Sequence, residues 1–260
     1  NIYAATNNIS KNENSNVFSI NSSIPQEGKS VTSILISFIL SQMGNKTLLI
    51  DCDLRNPRID KLLELENKLG FQKLLIGDFN LWEKSIQKIK DFKNLDIITT
   101  NKSNLDPVAL LTSDNFQKLL EKIKSSNKYK YIILNSTPVL GISDSILISK
   151  KADYDLFIIS LDYVSKISTY EAVKLLLESY DDEERKPYIL INPIKESSKI
   201  DDIGYYSYHI DNQSSEIKNQ FQNLFNKTLS EFFNNLKNKT NIELISFYKK
   251  LKNYFKNKFL

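Results

Sequence analysis

The sequence predicts a three-layer α/β domain: a doubly wound, mainly parallel sheet, followed by a helical C-terminal extension. Three observations lead there. Short Ile/Leu/Val runs recur between residues 17 and 191, as expected of strands covered on both faces. Longer segments with apolar residues at helical spacing alternate with them. A Gly28-Lys29-Ser30 triplet falls where the first apolar run gives way to the first helical pattern, as a nucleotide-binding βαβ unit requires.

Taken in order, Val17–Ile20 reads as a buried strand. Ser30–Met43 reads as a helix, with Val31, Ile34, Leu35, Phe38, Ile39 and Met43 supplying its apolar positions. Leu48-Leu49-Ile50 leads into an acidic loop, Asp51-Cys52-Asp53-Leu54-Arg55. Helical patterns follow near Ile59–Glu66, Phe71–Ile76 and Leu81–Lys90, then a strand at Leu95–Thr99. Asp106–Lys124 reads as one helix, with Pro107 early in it, where a missing N–H costs nothing. The series ends with a strand at Tyr131–Leu134, a helix at Ser143–Lys150, a strand at Leu156–Ile159, a helix at Thr169–Tyr180 and a strand at Tyr188–Ile191. In such a sheet the ligand lies beyond the carboxyl ends of the strands. Gly28, Asp51, Asn135 and Asn192 all fall at or just past those ends, so the sequence gathers them at one site.

Composition narrows the classes. A chain of 260 residues that is 41% hydrophobic can bury one α/β core with length to spare. Its apolar stretches are far shorter than a membrane span, and it opens on Asn1, as a piece cut from a longer chain would. One cysteine excludes an internal disulfide. Cys52, with no base beside it in sequence, reads as a packed small residue. A net charge of +4 gives no argument for nucleic acid. One histidine, His209, cannot build a metal cluster or a Ser/His/Asp arrangement.

The chemistry lies in two stretches. At Pro25-Gln26-Glu27-Gly28-Lys29-Ser30, backbone N–H groups and the positive end of the following helix favour a polyphosphate. Lys29 can reach the terminal phosphates, and the Ser30 hydroxyl can ligate Mg²⁺. The strict phosphate-loop pattern would have glycine where Ser23 stands. The acidic loop at Asp51 and Asp53 is the second stretch.

Together these stretches resemble the bacterial tyrosine kinases of capsule and exopolysaccharide export, P-loop ATPases related to the Mrp/MinD group. Ser22–Ser30 is similar to that family's phosphate loop, Leu49–Arg58 to its second Walker motif, and Leu105–Leu111, less closely, to its Pro-x-Glu-Leu-Leu stretch. Tyr131–Ser145 stands where its Walker B strand belongs, and Gly204–Tyr208 resembles a short version of its tyrosine cluster. The resemblance covers roughly residues 16–208. It implies ATP and Mg²⁺ as cofactors, with Gln26, Glu27, Gly28, Lys29, Ser30, Val31, Arg55, Asn135 and Asn192 around the nucleotide. Ser30, Asp51 and Asp53 would hold the metal, while Asp51, Asp53 and Lys29 would serve catalysis. Arg55 would sit near the phosphates or a neighbouring subunit, Asn192 would contact the adenine, and Tyr205, Tyr206 and Tyr208 would accept phosphate.

It further implies a membrane-bound activator or chain-length protein (or a fused membrane domain), a homo-oligomer, and work in the cytoplasm at the inner face of the membrane. Two departures stand out. Asn135 replaces the Walker B aspartate, which removes a negative charge from the metal shell. Tyr3–Ile9 sits where an oligomerisation helix is expected but lacks its arginines.

Four regions follow: 1–15 as N-terminal helix or linker, 16–200 as the nucleotide-binding domain, 201–213 as the tyrosine loop and 214–260 as an amphipathic extension. In the last, Leu244, Phe247, Tyr248, Leu251, Phe255 and Phe259 share one side, and Lys249, Lys250, Lys252, Lys256 and Lys258 occupy the rest. It either folds back on the core or lies on an anionic membrane surface. Three functions remain: a protein-tyrosine kinase controlling polysaccharide chain length and export, a nucleotide-binding regulator of that system with little catalysis, and a MinD-like positioning ATPase. The last type carries an extra lysine early in its phosphate loop, where Asn21–Ile24 has none.

Overall fold

Six of the seven strands begin or end within a few residues of an apolar run in the sequence. In the computed structural model, which describes residues 15–192 apart from 67–68, 91, 103 and 161–162, the strands are β1 (Asn16–Ser22), β2 (Thr47–Asp51), β3 (Gln87–Lys88), β4 (Leu95–Ile98), β5 (Tyr131–Asn135), β6 (Tyr154–Ser160) and β7 (Tyr188–Asn192). They form one sheet in the order β3-β4-β2-β5-β1-β6-β7. Every pairing is parallel except β3 with β4. The strand carrying the phosphate loop thus lies inside the sheet, where the chain turns from one half to the other.

The helices are α1 (Lys29–Gln42), α2 (Ile59–Leu63), α3 (Phe71–Ile76), α4 (Pro107–Thr112), α5 (Asp114–Ser125), α6 (Asp144–Ser149) and α7 (Lys166–Glu178), with a 3₁₀ turn at Phe79–Ser85. Helix α1 crosses β1, β2 and β5. Its Ser33, Ser37 and Ser41, four residues apart, are all buried, and each hydroxyl donates to a carbonyl one turn back. Small side chains that satisfy their own polar atoms let this helix lie close to the sheet. One core gathers Val17, Leu48, Ile50, Ile132 and Leu134 from the strands with Phe71, Leu111, Phe116, Leu120 and Trp82. A smaller cluster joins Phe157 to Val139 and to Ala172 and Leu176 of α7.

Three expectations are corrected. The helix read at Leu81–Lys90 is instead the 3₁₀ turn followed by antiparallel edge strand β3. Asp78 caps that turn through the Asn80 N–H, and Ile86 is already extended. The helix read at Asp106–Lys124 is two helices, because Ser113 is extended (φ −63°, ψ 148°), its hydroxyl returning to the Leu110 carbonyl. Strand β7 is not covered on both faces: Tyr188 is 41% exposed and Ile191 61%. The expectations for residues 1–14 and 193–260, including the tyrosine loop and the amphipathic extension, lie outside the described residues.

Candidate nucleotide and metal site

The phosphate loop leaves β1 at Ser22 and turns sharply. Gln26 (φ 68°) and Gly28 (φ 91°) both take left-handed backbone conformations. Glycine adopts this freely, whereas glutamine is held there at a cost of about 1–3 kcal/mol. Other contacts keep the loop in place. Glu27, fully buried, accepts the Ile24 N–H at 2.7 Å and the Ser160 N–H at 3.2 Å, so its carboxylate ties the loop to the end of β6. Burial raises the pKa of Glu27, while these backbone donors and then Lys29 oppose the rise. Asn192 donates its amide to the Glu27 carbonyl at 3.1 Å, and Tyr163 donates to the Gln26 side chain at 3.1 Å. On the other side, Val139 and Leu140 donate to the Ser22 and Ser23 carbonyls.

Helix α1 begins at Lys29 with no side-chain cap and no acidic residue in its first turn. No capping side chain therefore occupies its first N–H groups. Lys29 is buried. Burial pushes its ammonium pKa down, and Asp53, then Glu27, pull it back up. Ser30 and Val31 follow it in the first turn.

The acidic loop is held by its own carboxylates. Asp51, fully buried at the end of β2, accepts the Asp53 N–H on one oxygen and the Arg58 and Ile59 N–H groups on the other, at 3.2–3.3 Å. It thereby caps α2. Asp53 accepts the Arg55 and Asn56 N–H groups at 3.2 and 2.8 Å. Burial, and next the Asp53 charge, raise the Asp51 pKa to about 7, against a pull downward from the Asn135 amide. Burial also raises Asp53, and Lys29 opposes it. Cys52 between them is buried, and burial lifts its thiol well above the ordinary range, in keeping with a packed residue.

Asn135 ends β5 as the register partner of Asp51. Its amide nitrogen donates to Asp51 at 2.9 Å, and its oxygen lies 3.1 Å from the Ser33 hydroxyl. Arg55, implied near the phosphates or a neighbouring subunit, grips Asp144 with its guanidinium through two bonds of 2.7 and 3.0 Å, and Asp144 is fully buried in the first turn of α6. Asn192, expected against adenine, reaches the phosphate loop's backbone.

Sequence reasoning missed Ser33, Ser160 and Tyr163. Ser33 had a usable signal, since it stands one turn after Lys29 on the serine stripe of α1. Asp144 lies in the stretch matched to the Walker B strand and its turn, but its pairing with Arg55, 89 residues away, had no signal.

These residues suit a polyphosphate. Besides the uncapped helix start and Lys29, the Ser23 and Thr137 hydroxyls are buried without a hydrogen-bond partner. Among the described residues no group of three or more His, Cys, Asp or Glu side chains gathers to hold a metal. A divalent ion at Ser30, Asp51 and Asp53 would therefore draw its remaining oxygens from the nucleotide, as Mg²⁺ commonly does.

A buried lysine under an uncapped helix start, with two carboxylates beside it, defines a P-loop ATPase. The chain belongs to the AAA domain family, whose model matches residues 17–181. It resembles the tyrosine-protein kinase YwqD of Bacillus subtilis, 29% identical over 72% of this chain and 76% of the relative. It also resembles the tyrosine-protein kinase ptk of Acinetobacter johnsonii, 33% identical over 55% of this chain but only 19% of the relative. The fold matches the VpsO kinase domain (TM-score 0.64, 29% identity, 75% of this chain and 93% of that one). It also matches the cell division protein MinD of Aquifex aeolicus (TM-score 0.55, 26% identity, 70% of each). These likenesses carry the assignment to the bacterial tyrosine-kinase group within the Mrp/MinD-like ATPases.

Proposed function

We propose that this chain is an ATP-dependent protein-tyrosine kinase that phosphorylates its own tyrosine cluster and thereby regulates capsular or exopolysaccharide chain length and export. The observation that supports this most directly is the meeting of Lys29, Asp51 and Asp53 beneath the uncapped start of α1. Loop N–H groups and Lys29 bind and orient the phosphates. Ser30, Asp51 and Asp53 would hold Mg²⁺, which would supply charge neutralisation at the transferred group. Asp51 and Asp53 would also activate the hydroxyl of the incoming tyrosine. Catalysis of this kind is positioning and electrostatics more than covalent chemistry.

The acceptors are Tyr205, Tyr206 and Tyr208. Tyr131, in the sheet, is fully buried and cannot enter a second active site. Among the described residues no helix is long and apolar enough to cross a membrane. Attachment to the inner face of the membrane would come from a membrane-bound activator, from a fused membrane domain, or from the lysine-rich C-terminal segment. The test is incubation of the purified chain with Mg-ATP, phosphotyrosine blotting and mass spectrometry. Phosphate on Tyr205, Tyr206 or Tyr208 supports the reading, and phosphate confined to Tyr131 or Tyr188 overturns the acceptor assignment.

A second reading, a nucleotide-binding regulator with little turnover, is favoured by Asn135, whose amide brings no charge to the metal shell. Tight Mg-ATP binding with no phosphotyrosine and no hydrolysis would select it.

A further inference from the structure

We propose that Asn135, oriented by Ser33, is a positioning residue that closes the acidic loop from Asp51 to Arg58 without help from a cation. Asp51 and Asn135 are register partners on neighbouring parallel strands, so whatever stands at 135 meets the Asp51 carboxylate at the same level of the sheet. Both are fully buried, and the separation is 2.9 Å. An aspartate at 135 would put two carboxylates at that distance in a dry interior, where they cannot both ionise unless a proton or cation lies between them. Asparagine removes the conflict by presenting a donor. Its orientation is chemically fixed, because the turned amide would set one acceptor against another.

Ser33 holds that orientation. Its hydroxyl lies 3.1 Å from the Asn135 oxygen and 2.9 Å from the Lys29 carbonyl, so one proton serves a three-centre bond. The relay thus runs from the first turns of α1 through Asn135 to Asp51. The far oxygen of Asp51 in turn holds the N–H groups of Arg58 and Ile59. With Asn135 in place, protein donors alone satisfy the Asp51 carboxylate, and the loop is assembled before metal or nucleotide arrives. The proposal uses the metal reading of Asp51 only in its Mg²⁺ arm; loop closure itself does not depend on kinase activity.

The loop carries two trypsin sites, Arg55 and Arg58, so its opening can be read directly. The full chain and the variants Asn135→Asp, Ser33→Ala and Ser33→Thr are digested briefly in weakly alkaline buffer without nucleotide, in EDTA and in Mg²⁺. For the parent, cleavage after Arg55 and Arg58 is slow and equal in both. For Asn135→Asp it rises about tenfold in EDTA and falls back with Mg²⁺, since cleavage of a locally opened segment tracks its open population. For Ser33→Ala it rises several-fold at these two sites whether or not Mg²⁺ is present, and Ser33→Thr restores protection.

Three results overturn the proposal: Asn135→Asp as protected in EDTA as the parent, a parent whose protection itself requires Mg²⁺, or Ser33→Ala raising cleavage equally at every site. If Asn135→Asp does not fold, the Ser33 pair decides. None of these results depends on phosphoryl transfer, so failure here leaves the kinase reading standing, and failure of that reading leaves this test intact.

Discussion

Arg55→Ala separates two roles for one guanidinium. Its partner Asp144 is fully buried, while the Arg55 side chain is 35% exposed and roofs the pair. Removing the arginine leaves a carboxylate in the interior with the help only of the α6 N-terminus, worth at most about 1–2 kcal/mol. Breaking a buried pair from one side costs about 3–5 kcal/mol, and the water already reaching Arg55 favours the lower end, about 3 kcal/mol. For a domain of this size each kcal/mol moves Tm by about 2–4 °C, giving a drop of about 6–12 °C by calorimetry. Arg55→Lys should recover only part of this, because an ammonium cannot reproduce the two-pronged contact. Asp144→Asn in the Arg55→Ala background should return several degrees, since the stranded charge is gone. Mg-ATP affinity should change less than threefold or so if the guanidinium serves Asp144. An unchanged Tm with ATP affinity weakened about tenfold or more would refute this argument and return Arg55 to the phosphates.

Other expectations follow from the same site and its surroundings. Lys29→Ala should weaken Mg-ATP binding by about 100-fold or more in calorimetry with the melting profile kept, if the buried cation serves the β- and γ-phosphates as proposed; equal affinity would misplace the site. Asp51, raised from 3.8 to about 7, favours the fold most below its unfolded value. That contribution is lost as pH rises through about 7 and is flat above, so Asp51→Asn should flatten a pH series of urea melts across this window. Asp155 is buried beneath Ser19, Asn21, Ser149, Tyr180 and Arg185, the last at 2.6 Å, and Arg185→Ala should lower stability by about 2–3 kcal/mol in denaturant melts. Removal of residues after Thr240 should abolish co-sedimentation with anionic vesicles at low salt. Five lysines at about 1 kcal/mol each give measurable attachment that fades as salt rises, and no sedimentation of the full chain would leave a helical appendage instead.

What the sequence revealed and what it hid divide along a physical line. Parallel strands buried on both faces need continuous apolar runs, so β1, β2, β4, β5 and β6 announce themselves. Segment 81–90 carries Leu81, Trp82, Ile86 and Ile89, a spacing that suits a helix on paper. The structure uses Trp82 to fill the core from a 3₁₀ turn and then spends Gln87 and Lys88 on the antiparallel edge. Nothing in the local pattern distinguishes these outcomes, because the choice depends on whether an edge of β4 is open. Ser113 has the same character. It is a tolerable helix residue that instead bonds its own chain and starts a new helix. In the site, contiguous motifs were legible because phosphate binding needs neighbouring N–H groups in one loop. Contacts across 89 and 102 residues, Arg55 with Asp144 and Ser33 with Asn135, have no spacing signature.

The sheet order explains why so many distant residues converge on six loop positions. Because β1 lies between β5 and β6, its phosphate loop can be braced from both halves. Glu27 and Asn192 fasten it to β6 and β7. Val139 and Leu140 hold its first carbonyls just beyond β5. Asn21, near the end of β1, accepts from Ser136 and donates to Asp155, joining the two halves beneath the loop. A left-handed Gln26 persists only if its surroundings over-determine it, and these ties from both sides do so. The loop's geometry therefore belongs to the whole sheet rather than to the six residues that spell its motif. A substitution at Asn192, well outside that motif, removes a tie to the loop's own backbone.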